Sequence, residues 1–389
     1  MNKKINIYLL NIIIFLQGFV FYAPIATIYR EKRGLSLSQI FLIESIYMIL
    51  IILLEIPWGR FADKFGYKRT LVLSNLLFFI SKIIFFKANS FSMFLMERLI
   101  LAISISGISG CDSALLFLSL DEKDNSEKVF ARYNFFSNLG FLLASISSII
   151  IINISMDLAA FYTIIPYGFA FILSFFIKEV NGGNSENIGI MKNIRYILKK
   201  KHVLIFVIGV ALVTEVVQSI TVFLNQGIYI KSNIDIKYFG LILAIIQIIK
   251  LISIKSYKLT NRIGQRTTII LFVTLITITS FFLIFIRISF LAIIGITLIS
   301  TSMEFIEPIF MDIKNKSIKN MNRATLLSIY SMFQSVISAT INPLIGFAAD
   351  YSLEVGLIAC SIISIISMIL IWLSKGNIKK IKNYPFEIL

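Results

Sequence analysis

The sequence predicts an all-α polytopic membrane protein, with twelve transmembrane helices in two pseudo-symmetric six-helix halves. Three observations carry that prediction. Of the 389 residues, 57% are apolar, more than the roughly 45 to 50% of a soluble globule. Mean hydropathy is +0.87. The apolar residues also gather into twelve runs, each near the ~20 residues with which a helix crosses a bilayer.

The runs are 5 to 29, 38 to 59, 70 to 88, 91 to 118, 130 to 154, 158 to 178, 203 to 229, 238 to 256, 268 to 286, 289 to 312, 324 to 348 and 354 to 374. The first follows Lys3 and Lys4, is too long for a removable signal peptide and has no small-residue cleavage site, so it reads as a span. The second leads into Gly59-Arg60-Phe61-Ala62-Asp63-Lys64-Phe65-Gly66-Tyr67-Lys68-Arg69, which reads as a compact charged turn. Its glycines allow close backbone approach, its basic residues favour the cytoplasmic face, and the Asp63 carboxylate suits a neighbouring helix terminus.

The longest interruption, 179 to 201, divides six runs from six. Asn181 to Ser185 reads as linker, and Ile190 to Lys201 as a short basic amphipathic helix on the inner leaflet. The expected parts are therefore 1–178, a cytoplasmic linker 179–202, 203–374 and a cytoplasmic tail 375–389. The halves repeat weakly: Asn261-Arg262-Ile263-Gly264 stands about 198 residues after Asp63-Lys64-Phe65-Gly66, with Tyr257 in place of Gly59. Of the 37 Lys and Arg, 27 fall on one side of the runs, 7 on the other, and Lys82, Arg98 and Lys250 inside them. By the positive-inside rule both termini are cytoplasmic in a multi-pass cell-membrane protein.

Several function classes are excluded. The net charge of +16 is dispersed between spans and forms no continuous patch, so no nucleic acid is expected. Cys111 and Cys360 are far apart inside apolar runs, His202 reads as solvated, and no phosphate loop occurs. No cluster of nucleophile, base or metal ligands marks an enzyme. No cofactor is expected. The driving force would be a proton gradient, the partners a small-molecule substrate and the lipid bilayer, and the state a monomer.

Charges inside spans are costly, at least about 2.5 to 3.5 kcal/mol at the bilayer centre, and so are candidates for function. They are Glu44, Glu55, Lys82, Arg98 and Asp112 in the first half and Glu215, Lys250, Glu304 and Glu307 in the second. At 1.5 Å per residue, Glu44 and Arg98 both lie about 10 Å deep and can pair, as can Lys250 and Glu304 at about 18 and 22 Å. Glu304 and Glu307 share a helix face, and Pro308 frees the Glu304 carbonyl, which makes them candidates for proton coupling; the alternative is that they only neutralise Lys250 or sit in the inner vestibule. Lys82 is expected to snorkel toward the outer face. Asn11, Gln17, Asn225, Gln226, Gln334 and Asn342 serve either helix-to-helix hydrogen bonds or substrate.

Gly59, Asp63, Lys64, Gly66, Lys68 and Arg69 fill a pattern that resembles the loop between the second and third helices of the major facilitator superfamily. The resemblance implies alternating access between two rocking halves, with spans one, four, seven and ten lining the cavity. Arg98, Asp112, Glu215, Glu304 and Glu307 fall on those spans. It implies that Asp63 latches the cytoplasmic side near Asn322 to Thr325, with Glu55 in support, and that Arg98 matches an arginine of span four. The likeness is to drug-efflux-like bacterial members, although Asn138 to Ala144 lacks the Gly-Pro pair of their span five. The expected activity is proton-coupled efflux of a lipophilic or cationic small molecule. Proton-coupled nutrient uptake, or a non-transporting sensor or assembly partner on the same fold, are the alternatives.

Overall fold

A computed structural model describes residues 3–121, 125–180, 201–316 and 323–374. Residues 181–200 of the expected linker, with all but the end of its amphipathic helix, the His202 side chain, the tail from 375 on and the Asn322 to Thr325 partner of Asp63 lie outside the residues or side chains described. Eleven helices are long and apolar enough to cross a membrane. The broken run at the N-terminus supplies the twelfth span.

That first run is not one helix. α1 (Ile5–Gln17) ends at Gly18, a 3₁₀ turn covers Ala23–Ile25, and α2 (Ala26–Glu31) completes the run. Pro24 explains the interruption, since it offers no N–H to the Val20 carbonyl and its ring clashes there in an unbroken helix. The Val20 carbonyl instead accepts from the Ala23 N–H at 3.1 Å.

α3 (Leu37–Phe65) and α4 (Tyr67–Lys87) follow. Ser36 opens α3 with a capping box, accepting from the Gln39 N–H while the Gln39 side chain accepts from the Ser36 N–H. Span four is split into α5 (Phe91–Ile108) and α6 (Cys111–Leu118). Gly110, at φ +81°, makes the break in a conformation that other residues rarely adopt. α7 (Ser126–Ile154) and α8 (Met156–Ser174) complete the first six spans.

Span seven is α9 (Lys201–Gln218), a π-helical turn Ser219–Leu224 and α10 (Asn225–Lys231). Span eight is α11 (Phe239–Lys250), which passes through a 3₁₀ stretch Leu251–Lys255 into α12 (Ser256–Ile263). α13 (Gln265–Phe282), α14 (Ser289–Lys316), α15 (Arg323–Tyr351) and α16 (Leu353–Leu373) follow. Pro308 and Pro343 lie inside α14 and α15 without ending them.

The chain forms two compact units, Met1–Glu186 with Ile234–Ile245, and Asn187–Asn233 with Ile246–Leu389. In the first, α1 packs on α7 and α8, and α4 on α5 and α8. In the second, α9 packs on α15 and α16, and α13 on α14 and α16. The same internal order therefore recurs. In the first unit α1 and α7 cross backbone to backbone: a Cβ on Gly18 would stand 2.7 Å from the Ser137 carbonyl, and one on Gly140 would overlap the Phe15 carbonyl. Small residues permit such crossings where lipid supplies no hydrophobic drive. One apolar core of this unit gathers Leu10, Ala62, Leu71, Leu115, Leu116 and Ile177.

Candidate functional site

The stretch expected as a charged turn is mostly helix. α3 runs on through Gly59, Arg60, Asp63 and Lys64 to Phe65, and Gly66 alone turns the chain before α4 carries Lys68 and Arg69 in its first turn. Gly66 sits at φ +91° and ψ +159°, a region open essentially to glycine. Gly59 has a different role from the expected close approach, because a Cβ there would meet nothing within 4 Å. Asp63 is exposed in the last turn of α3, where the helix dipole opposes a carboxylate.

Two basic residues at the start of α4 face that helix's own dipole with the wrong sign. Glu179 corrects this. Its Oε1 accepts from the Tyr67 N–H at 2.8 Å and its Oε2 from the Lys68 N–H at 3.1 Å, so one carboxylate caps a helix that has no cap of its own. Sequence reasoning had placed Glu179 in the linker. The signal that would have found it is an acid just past span six, matched to a basic helix start lacking Ser, Thr, Asp or Asn. Gly264 repeats the turn at φ +87° and ψ +151°, between α12 and α13.

At the other end of the first unit the charges are denser than expected. Arg98 meets Glu44 at 3.1 Å, as their depths along α5 and α3 predict. Arg30, counted as a loop charge, is 4% exposed, and Glu97, missed beside Arg98, is 1% exposed. The Arg30 guanidinium lies over the Phe85 and Phe94 rings at 5.3 and 5.9 Å, and its Nε has no hydrogen-bond partner among the described residues. The Glu97 Oε2 likewise has none. The overlooked signal was an acid in the middle of an apolar run.

Lys82 does not snorkel. It is 4% exposed, its ammonium donates to the Tyr22 hydroxyl at 3.0 Å, and the rings of Phe78 and Tyr167 lie 4.9 and 5.0 Å away. The break in span one brings Tyr22 over this ammonium. Asp112 stands in the first turn of α6, and its carboxylate accepts from the Ser113 N–H at 2.6 Å and from the Tyr133 hydroxyl at 2.8 Å.

In the second unit Lys250 meets Glu304 at 2.7 Å. Glu307, one turn further along α14, is half-buried and forms no ion pair within 4.0 Å among the described residues. Lys314, expected in a loop, is buried over the Phe310 ring at 4.2 Å and donates to the Gln334 amide oxygen at 3.4 Å. Glu215 is fully buried in α9, one turn before the π-helical stretch, a feature frequent at functional sites. Of the polar candidates, Gln17 donates to the Asn75 amide oxygen at 2.7 Å, a helix-to-helix bond. Among the described residues neither atom of the buried Asn342 amide has a hydrogen-bond partner, nor does the buried Asn11 amide oxygen. Glu55 is exposed on α3. Among the described residues no three His, Cys, Asp or Glu side chains gather as a metal site would need.

The major facilitator superfamily family model matches residues 7–340. The chain belongs to that superfamily. It is therefore a multi-pass membrane protein of a transporter family and not an enzyme. Solved structures of superfamily transporters share the fold: the nucleoside transporter NupG, with a TM-score of 0.78 and 13% identity over 99% of this chain and 100% of that one, and a bacterial homologue of the human lysosomal transporter Spinster, with a TM-score of 0.80 and 12% identity over 99% of both. Among curated relatives, the quinolone resistance protein NorA of Staphylococcus aureus is 25% identical over 147 residues. That match spans 37% of this chain and 37% of NorA, so the chain aligns with about a third of its relative's length.

Proposed function

We propose that this superfamily member is a monomeric secondary transporter of the cell membrane, with both termini cytoplasmic, which expels a lipophilic or cationic small molecule in exchange for protons. It would work by alternating access. The observation that carries the coupling is the contrast between Glu304 and Glu307. Glu304 is committed to Lys250 at 2.7 Å, whereas Glu307 forms no ion pair within 4.0 Å among the described residues and is left to exchange a proton. Glu215, a carboxylate of this unit fully buried within a span, is assigned to the same pathway. Asp63, held at a helix end that disfavours it, is assigned as the latch of one state. The direction of transport is supported by the resistance role in the name of the partial relative.

The test is movement of a lipophilic cationic dye by vesicles containing the purified protein under an imposed pH gradient, beside Glu307→Gln and Asp63→Asn. Gradient-driven movement by the unaltered protein, lost in both variants, is the expected result. No movement by folded protein would overturn efflux of this substrate class. Full movement by Glu307→Gln would overturn its role in coupling.

A further inference from the structure

We propose that Lys82 anchors the carboxylate of an aromatic or otherwise apolar ligand, and that the Tyr22 hydroxyl is the group this carboxylate displaces. Four charged side chains are buried in the first unit, Arg30, Glu44, Lys82 and Glu97, and Arg98 joins them through Glu44 at 3.1 Å. Three cations thus face two carboxylates. Glu44 is taken by Arg98, and Lys82 has no carboxylate within 4.0 Å among the described residues. A buried ion without a counter-charge is costly, and an intramembrane charge points to a partner. Among the described residues no carboxylate comes within 4.0 Å to serve as that partner.

The ammonium has three protons, and one of them is spent on Tyr22. Tyr167 is turned elsewhere, because its hydroxyl donates to the Gln17 carbonyl at 2.6 Å. What surrounds the remaining protons is aromatic: Phe78 and Tyr167 at 4.9 and 5.0 Å, and Tyr22 itself, whose ring stacks on Phe85 at 3.9 Å. A carboxylate oxygen is a stronger acceptor for an ammonium than a phenol oxygen, since both partners are charged. Tyr22 is also the replaceable member, as it lies in the irregular stretch between α1 and the 3₁₀ turn. Irregular backbone at membrane depth occurs where it is enclosed by protein or lines a cavity. The rings would then hold the apolar body of the ligand, and Lys82 its charge.

This inference rests on the transporter reading only in taking the ligand to be cargo. Its test is calorimetric binding of naphthoate and of the uncharged naphthamide to the purified full-length protein in detergent. Naphthoate is expected to bind at least about tenfold more tightly than the amide, the lower bound for a hydrogen bond to a charged group. Lys82→Met should lose that preference and keep the amide affinity. Tyr22→Phe should tighten naphthoate binding, because it removes the competing acceptor. The proposal is overturned if the acid binds no better than the amide, if neither binds, or if Tyr22→Phe leaves naphthoate affinity equal or weaker. Two of these comparisons do not need the Lys82 variant to fold. Naphthoate binding with no dye movement in vesicles would sink the efflux reading and leave the anchor standing; dye movement without naphthoate binding would do the reverse.

Discussion

Glu179 uses both oxygens of one carboxylate on the first amides of α4, so its removal exposes two donors at a helix start already burdened with Lys68 and Arg69. Loss of a helix cap costs about 0.5 to 2 kcal/mol, and Glu179→Ala is expected to fall in that range by thermal unfolding in detergent. An unchanged midpoint would mean that solvent caps α4 equally well. The Glu44 and Arg98 pair has a different signature. Truncating one partner of a buried pair costs about 3 to 5 kcal/mol, whereas replacing both by apolar residues is often near neutral. Glu44→Leu and Arg98→Met should each destabilise by several times the loss in the double variant; additive losses would show that the two side chains do not depend on each other. Residue types alone disclosed this pair, because depth along two helices is simple arithmetic. Arg30 and Lys82 escaped because burial depends on what packs around a side chain, and no periodicity reports that the Phe85 and Tyr22 rings close over it.

At the scale of elements, the spans were legible and their interruptions were not. Apolar run length sets where a helix can cross, but the breaks at Gly18, Gly110 and the π-helical Ser219–Leu224 depend on single residues and on neighbouring backbones. Pro24 was a visible signal; the π turn had none. The two positive-φ junctions offer a controlled comparison. An alanine at Gly264 would meet nothing within 4 Å and would carry only the backbone penalty of φ +87°, about 1 to 3 kcal/mol. An alanine at Gly66 would carry the same penalty and also place its Cβ 2.5 Å from the Glu179 carboxylate, pushing the cap off α4. Gly66→Ala should therefore destabilise more than Gly264→Ala. In a Glu179→Ala background the difference should largely disappear, and its persistence in thermal unfolding would show that the extra cost of Gly66→Ala does not come from Glu179.

For the whole molecule, the repeat about 198 residues long is more complete in three dimensions than in residue types. Gly66 and Gly264 share one backbone conformation. The same register carries a clamp. Arg33 donates to the Phe86 carbonyl at 2.8 Å and pairs with Asp157 at 2.5 Å; Lys231 donates to the Ile284 carbonyl at 2.8 Å and pairs with Glu354 at 2.7 Å. In each unit a cation at the end of the first span thus ties the end of the third span to the acid that opens the sixth. Arginine and lysine differ in type, as do Asp157 and Glu354, so a comparison of letters misses what the charges conserve. Asp157 and Glu354 are 61% and 41% exposed at the side chain, so solvent screens both pairs and most of each clamp's worth is its carbonyl bond. Arg33→Met and Lys231→Met should each cost only about 1 kcal/mol. The sharper readout is local. Hydrogen exchange should rise around 86–90 in the first variant and around 284–289 in the second, each within its own unit. If Arg33→Met instead loosened 284–289, the two clamps would not be separate copies of one device, and the repeat would describe ancestry of sequence without independence of structure.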